Sequence, residues 1–313
     1  MEKLSLLLFS DSEFLILLCF TLVILIIGYF LYQIYYFKSE KHRSILSLVL
    51  MMLIYTFISF WKLGSTSFPT TTWQPTAEKQ QITFDFGKSE KFDAIYTIYG
   101  EGDTNSNPSA YQIGTNNIYL YASNDLQEWT RIASLKQGNI YTYAIEQGNW
   151  QYRYIKLVDL SENSSLSEIG FRKEDHTGFL PISILRDKQK DGPYPGSLLI
   201  DEQDKLVLSP TYYDQAYFDE IYHVRNAWEI ANGQYMYANV HPLLGTNIIA
   251  LSIRLFGMNP FAWRLPGAIA GVLMLPVLYG ILKLLLKRDE LSLRRTTCAP
   301  SRRNTRPSRP TGR

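Results

Sequence analysis

Residues 82–99 of this chain read Ile82-Thr-Phe-Asp-Phe-Gly87, Lys-Ser-Glu-Lys, and Phe92-Asp-Ala-Ile-Tyr-Thr-Ile-Tyr99. Similar short runs of β-branched and aromatic residues begin at Asn117 and Tyr152. Clusters of Gly, Asn, Asp, Ser and Pro separate the runs. Short strands at such spacing are typical of a β-sandwich or a β-barrel.

Four ordered blocks in this region carry a resemblance to a known domain. They are Ile82 to Gly87, Tyr121-Ala-Ser-Asn-Asp-Leu-Gln-Glu-Trp129, Arg153-Tyr-Ile-Lys-Leu157 and Ser167-Glu-Ile-Gly-Phe171. Together they resemble the discoidin, or coagulation-factor type C, domain. The resemblance implies an all-β jelly roll over residues 70–176 that binds carbohydrate or lipid headgroups through loops at one end. The stretch 177–210 is charged and rich in Pro and Gly, which predicts a linker.

The aromatic residues of this β region have two interpretations. Tyr96, Tyr99, Tyr141 and Tyr143 could stack against sugars of a glycan or cell-wall ligand, but burial is the usual fate of large apolar side chains. We therefore expect each to lie in the core, together with Trp129 and Trp150. No group of His, Asp or Glu here has metal-ligand spacing, so no metal site is predicted, and a need for a divalent metal stays open.

Three apolar runs predict membrane helices. Phe14 to Phe37 has 24 residues, Ile45 to Trp61 has 17, and Leu265 to Leu286 has 22. About 20 apolar residues span a bilayer as a helix. We predict two spans within 1–62 and a third within 265–287. A signal peptide is the alternative for the first run, but that run is too long for one and no small-residue cleavage site follows it.

Charges in the short loops predict the orientation of these spans. Lys38, Lys41 and Arg43 lie between the first two runs, and Lys287 and Arg288 follow the third. The positive-inside rule places both groups in the cytoplasm. The chain is therefore predicted to be a multi-pass protein of the cell membrane, with residues 62–264 on the extracytoplasmic side.

The overall charge and the cysteines exclude several classes of protein. The net charge is +2, but residues 294–313 contain seven Arg and no acid, so the other residues sum to −5. No general basic field remains, and we predict no nucleic-acid partner. Cys19 and Cys298 lie in the first apolar run and in the tail, which leaves neither a disulfide framework nor a cysteine zinc site.

Residues 211–264 contain the densest group of chemically active side chains. Asp219 and Glu220 open a helical pattern, and His223 follows at helical spacing from both acids. Acids are common at helix N-termini because they complement the helix dipole, so this feature alone is weak evidence for catalysis. Its position just before a predicted span, with His241 further along, would let a membrane-borne head group reach these residues.

This segment resembles the protein O-mannosyltransferases and, more broadly, the GT-C membrane glycosyltransferases. The resemblance rests on four blocks: Phe218-Asp-Glu220 with His223, His241-Pro-Leu-Leu-Gly245-Thr, Leu255-Phe-Gly-Met-Asn-Pro-Phe-Ala-Trp-Arg264, and Gly271-Val-Leu-Met-Leu-Pro-Val-Leu-Tyr279. Two residues depart from the family pattern, because Leu243 replaces a proline and Thr246 replaces a lysine. The family likeness implies a truncated GT-C architecture with about three spans and an inserted discoidin-like domain.

The resemblance also implies a reaction and a role for each site residue. A sugar, mannose in this family, passes from a polyprenyl phosphate to a Ser or Thr hydroxyl of an exported acceptor protein. Asp219 would be the catalytic base, since a hydroxyl needs a proton acceptor as it attacks. Glu220 would orient the acceptor or polarise Asp219, and His223 and His241 would line the substrate site. Arg264 would either pair with the carrier phosphate or anchor the chain at the membrane interface.

The C-terminal part leaves the family pattern after about Leu291. Residues 288–313 form a basic tail that we expect to be disordered or non-native, as a shifted reading frame would produce. The rival interpretation is a genuine tail that binds anionic lipid. We expect the chain to be an N-terminal fragment without transferase activity of its own. The alternative function is a membrane-anchored protein that binds cell-surface carbohydrate through its discoidin-like domain.

Overall fold

A computed structural model describes residues 28–29, 31–33, 35–36, 40–100, 118–135, 139–160, 164–236 and 241–286. The chain divides into two compact units. One unit consists of residues 62–266. The other contains the apolar helices before residue 62 and after residue 266.

The first unit is built on an antiparallel sheet of six strands. The strands are β1 (Gln80–Tyr99), β2 (Ile118–Ser123), β3 (Thr130–Leu135), β4 (Tyr143–Asp159), β5 (Leu166–Lys173) and β6 (Ser183–Asp187). Their order is β3-β2-β4-β1-β5, and β6 pairs with β1. The predicted all-β region is therefore an antiparallel β-sheet domain. The described residues contain one sheet, so the two-layered jelly roll stays a prediction.

Strand β1 is the longest element of the sheet and changes partner along its length. Residues 82–85 pair with β6, residues 92–99 pair with β5, and β4 follows the other edge throughout. The register shifts between Asp85 and Glu90, next to Gly87, whose φ of +80° is costly for any residue with a Cβ. Over this interval β1 advances five residues while β4 advances two, so three extra residues of β1 interrupt the ladder.

The core is packed against this sheet. Buried side chains alternate with less buried ones along β2 and the end of β4, as the period of two predicts, whereas residues 94–99 of β1 and 166–171 of β5 are buried throughout. The largest buried side chains of the strands are Phe84, Phe92, Ile95, Ile98, Ile118, Leu120, Leu135 and Phe171.

The predicted linker over 177–210 is wrong. It contributes β6 to the sheet, and Leu180 and Leu199 are buried in the core. Gln189 is also buried and donates to the carbonyl of Gln74. Residues 183–187 read Ser-Ile-Leu-Arg-Asp, a run too short and too charged to stand out as a strand, and pairing with β1 supplies the missing stability.

The aromatic residues follow the burial expectation except at one position. Tyr96, Tyr99 and Tyr141 are buried, and Tyr143 packs against the core. Trp150 lies 5.3 Å from Phe92, centroid to centroid, and also packs on the core. Trp129 was expected in the core but is only half-buried, beneath the ammonium group of Lys156.

Two described helices are long and apolar enough to cross a membrane. They are α1 (Glu40–Phe60) and, in chain order, the fourth helix, α4 (Pro260–Leu286). Parts of the first apolar run between residues 28 and 36 are helical, while the rest of that run and the tail 288–313 lie outside the described residues. These helices support the second and third predicted spans, by length and composition.

Two shorter helices, α2 (Glu220–Ala231) and α3 (Leu243–Phe256), lead into α4. Helix α3 ends at Gly257, whose φ is +84°. Helix α4 begins five residues earlier than predicted, because Asn259 accepts a hydrogen bond from the amide of Ala262 and Pro260 occupies the first helical position. A hydropathy profile does not detect this helix start, because the start is set by the Asn259 cap and by a proline.

Candidate functional site

The segment that carries the two acids is held against the β domain. The amide of Ala216 donates to the carbonyl of Tyr141, and the side-chain oxygen of Gln215 accepts from the amide of Tyr143. Just before these residues, the amide and the hydroxyl of Thr211 both donate to the carboxylate of Asp214 and close a turn. The sheet thus fixes the approach to α2, although sequence reasoning placed a flexible connection just upstream.

Asp219 and Glu220 point to different surroundings. Both carboxylate oxygens of Glu220 accept from Arg264, with Nε–Oε1 and Nη2–Oε2 distances of 2.7 Å each. One of them also accepts from the amide of Tyr217 at 3.1 Å. Asp219 is exposed, and its carboxylate has no hydrogen bond or ion pair with the described part of the chain.

The backbone just before the acids is strained. Phe218 has a φ of +51°, in the left-handed region that a bulky residue rarely adopts, and its side chain is 74% exposed. The helix begins immediately after it, with Asp219 at the N-cap. Strain of this kind persists only where the surrounding contacts over-determine it. Here the contacts of Glu220 and Gln215 on either side provide them.

Arg264 is a structural centre of this site. Besides Glu220, its guanidinium donates to the carbonyls of Leu63 at 3.1 Å and Gln215 at 2.9 Å. Only 12% of its side chain is exposed. Arg264 thereby joins the start of the unit, the acidic segment and the first turn of α4. A phosphate could bind Arg264 only in competition with Glu220.

The two predicted histidines lie together. The rings of His223, on α2, and His241, just before α3, are 5.1 Å apart between centroids and tilted by 40°. His223 is half-buried and His241 is exposed. Eighteen positions separate them in sequence, and α2 and α3 lie side by side with their N-terminal ends together, so the two histidines meet at one end of the helix pair.

Contacts at the other end of this pair, and with α4, fix the two helices. Arg254 of α3 donates to the carbonyls of Ala231 and Ile230, which are the last acceptors of α2. The hydroxyl of Ser252 donates to the carbonyl of Ala262 in the first turn of α4, at 2.6 Å. The sequence did not predict a role for Arg254 or Ser252, because their partners are backbone carbonyls, which every residue carries whatever its side chain.

A group of three carboxylates was also missed by sequence reasoning. Glu168, Asp201 and Glu202 place one oxygen each within 4.8 Å of one another. Burial raises the pKa of Glu168 to about 8. Burial also opposes ionisation of Glu202, but donors from Lys205 and the amides of Thr71 and Thr70 outweigh it and lower its pKa. Glu168 lies on β5 and the other two carboxylates lie in a turn more than 30 residues later, so sequence spacing could not reveal the group.

Comparisons with known proteins find similarity over part of the chain. No protein-family model matches the chain. A 72-residue part is 33% identical to the polyprenol-phosphate-mannose–protein mannosyltransferase of Mycobacterium tuberculosis and 35% identical to that of Mycolicibacterium smegmatis. Each match covers 21% of this chain and only 14% of the relative. This partial match supports a glycosyltransferase. With the two apolar helices it also indicates a membrane protein.

Some solved structures are similar to part of the chain. CpGH89CBM32-6, produced by Clostridium perfringens, is 23% identical with a TM-score of 0.26, over 36% of this chain and 82% of that one. The lectin domain of lectinolysin complexed with Lewis B antigen is 18% identical with a TM-score of 0.26, over 33% of this chain and 72% of that one.

Proposed function

We propose that this chain carries the acidic site of a membrane glycosyltransferase that moves mannose from a polyprenyl phosphate to a Ser or Thr hydroxyl of an acceptor protein. The observation that carries the proposal is the contrast between the two acids. Glu220 is occupied by Arg264, whereas Asp219 is exposed and without a described partner. Asp219 is therefore the carboxylate that is available to a substrate.

The chemistry places one proton transfer on Asp219. The acceptor oxygen attacks the anomeric carbon, the bond from that carbon to the phosphate oxygen breaks, and the polyprenyl phosphate leaves with the electron pair. The hydroxyl proton passes to the Asp219 carboxylate, which acts as the general base. In this proposal the ion pair of Glu220 with Arg264 fixes the start of α2 and thereby positions Asp219, and His223 and His241 contribute to the substrate site.

Donor binding tests the site directly. Membranes containing the chain are illuminated with a photoreactive analogue of polyprenyl phosphate mannose, and cross-linked peptides are mapped. We expect labels within residues 211–264, with competition by unlabelled donor. An absence of competed labelling in this segment would reject the proposed function.

Transfer of radioactive mannose to a Ser- and Thr-containing acceptor tests the base. The assay uses a full-length homologue that carries the same acidic segment, in which the change corresponding to Asp219→Asn should lower transfer by about 100-fold or more while donor labelling persists, because general-base catalysis contributes about 10²–10⁴-fold. The matched control is Asp214→Asn, which removes a nearby carboxylate that only closes a turn. Equal transfer by Asp219→Asn and wild type would exclude Asp219 as the base.

A further inference from the structure

One line of paired residues crosses five strands of the sheet. Arg131 on β3 pairs with Tyr121 on β2, which pairs with Lys156 on β4. Lys156 pairs with Thr83 on β1, and Thr83 pairs with Arg186 on β6. We call Arg131, Lys156 and Arg186 the cationic row. Strands lie about 4.8 Å apart, so successive cations are about 10 Å apart along the row.

The cationic row lies on the face of the sheet that is turned away from the core. The residues on either side of Lys156 in its strand, Ile155 and Leu157, are fully buried. Ile82 and Phe84, on either side of Thr83, are buried as well. Side chains alternate between the two faces of a strand, so the row points outward. Arg131 and Arg186 are exposed and Lys156 is half-buried.

Aromatic rings hold two of these cations in place. The ammonium of Lys156 lies 4.0 Å from the centroid of Trp129 and 5.7 Å from that of Tyr121. The guanidinium of Arg131 lies 5.6 Å from the centroid of Tyr119. Such contacts attract a cation to the ring face and restrict its side chain without cancelling its charge. The unexpected position of Trp129 outside the core is part of this arrangement.

The cationic row contrasts with the net negative charge of the unit in which it lies. Residues 62–266 contain 17 Lys and Arg against 23 Asp and Glu. Within the described ranges, none of the three cations of the row forms a salt bridge with a carboxylate. Burial also lowers the pKa of Lys156, a cost that a bound anion would offset. An acidic unit thus presents three unneutralised cations in one line.

We propose that the cationic row binds a linear acidic polysaccharide that carries about one anionic group per disaccharide. Cations on alternate strands, about 10 Å apart, suit a polymer whose charges are sparse and regularly spaced. Rings of Tyr119 and Tyr121 beside the cations offer apolar surface to the sugars. The binding is independent of the transferase reaction, since the row contains none of the residues assigned to it.

Two other polyanions fit the row less well. Duplex DNA carries a charge about every 1.7 Å, and the excess of acids in this unit would repel so dense a partner. A lipid bilayer is flat, whereas a row over five strands follows the right-handed twist of the sheet. A flexible linear polymer can follow that curve.

Hyaluronan is a suitable probe because it carries one carboxylate per disaccharide. The full chain, in nanodiscs of zwitterionic lipid, is titrated with hyaluronan, neutral dextran, duplex DNA and separate anionic vesicles. We expect binding of hyaluronan that weakens as salt is raised, and no binding of dextran. Tighter binding of DNA or of anionic vesicles than of hyaluronan would overturn the proposal, as would an absence of hyaluronan binding.

Matched charge variants locate the binding. The triple variant Arg131→Gln, Lys156→Gln, Arg186→Gln should lose tenfold or more in affinity for hyaluronan. The control Lys88→Gln, Lys91→Gln, Lys190→Gln removes the same charge outside the row and should change affinity less than threefold. Equal losses in the two variants would show a general charge effect and overturn the assignment. Single Lys156→Gln, with circular dichroism as a check of folding, keeps the test decisive if the triple variant misfolds.

Discussion

Asp219 and Glu220 are adjacent in the chain, yet one is available to a substrate and the other is bound by Arg264. The same contrast occurs at the buried acids. Burial raises the pKa of Glu168, whereas the donors around Glu202 lower its pKa despite its burial. At the residue scale, the surroundings and not the residue type decide what each carboxylate does.

Replacement of Arg264 by Lys should destabilise the unit of residues 62–266. Lysine keeps the charge but cannot donate at once to both oxygens of Glu220 and to the carbonyls of Leu63 and Gln215. We expect a loss of about 1–3 kcal/mol in the free energy of unfolding, since buried acceptors lose their donors. Urea unfolding in a non-ionic detergent measures it. Arg186→Lys, at an exposed site, is the control and should change stability by less than about 0.5 kcal/mol.

Glu168 should make stability depend on pH. Its pKa is about 8 in the folded chain against an ordinary value of 4.5, so the folded state holds the proton more tightly. This contribution is complete below 4.5 and is lost as the pH rises through about 8. Unfolding measured across this window should therefore show decreasing stability for the wild type.

Two variants distinguish this carboxyl group from its neighbour. The Glu168→Gln side chain cannot ionise. This variant should therefore show a smaller decrease in the free energy of unfolding between pH 4.5 and about 8. Glu202→Gln removes a group whose pKa is lowered, so it should instead change the slope at acid pH. A Glu168→Gln profile with the wild-type slope would show that another group titrates there.

At the element scale, helix α3 shows what amphipathic packing leaves exposed. Thr246, Ala250 and Ile253 are buried. Large apolar side chains on another face are exposed at Leu244, Ile248, Leu251 and Leu255. Three residues separate α3 from α4, a candidate span, so this face lies within reach of the bilayer.

We expect this face of α3 to enter the lipid interface. In a chain whose native cysteines are replaced by Ser, a fluorophore at Leu251→Cys should be quenched by nitroxides on lipid acyl chains. The same fluorophore at Asn247→Cys, a polar position on the edge of the face, should respond to nitroxides on headgroups. Quenching of both positions only by a water-soluble nitroxide would contradict lipid contact.

At the scale of the whole molecule, the predicted orientation places residues 62–264 outside the cytoplasm. Ser209→Cys, in the cysteine-free background, should react with a membrane-impermeant maleimide in intact cells. His42→Cys, beside the basic loop, should react only after the membrane is permeabilised. The reverse pattern would invert the topology and remove the site from the face on which exported proteins are met.

How much could be predicted differs between the parts of the chain. Alternation in residues 82–99 indicated strands, and hydropathy indicated the helices that became α1 and α4. Strand β6 was missed because its residues become a strand only by pairing with β1. The candidate residues Asp219, Glu220, His223, His241 and Arg264 were all named from sequence, and the ion pair between Glu220 and Arg264 was not.

The sequence by itself determined the local patterns: the strand texture, the apolar helices, the acids at a helix start and a partial similarity to mannosyltransferases. Those features depend on neighbours in the chain, so periodicity and composition record them. Only the tertiary structure decided which acid stays available, that Trp129 lies outside the core, and that Arg131, Lys156 and Arg186 form one row. Each of these depends on strands or helices that are distant in sequence, and their register is set by packing of the whole unit.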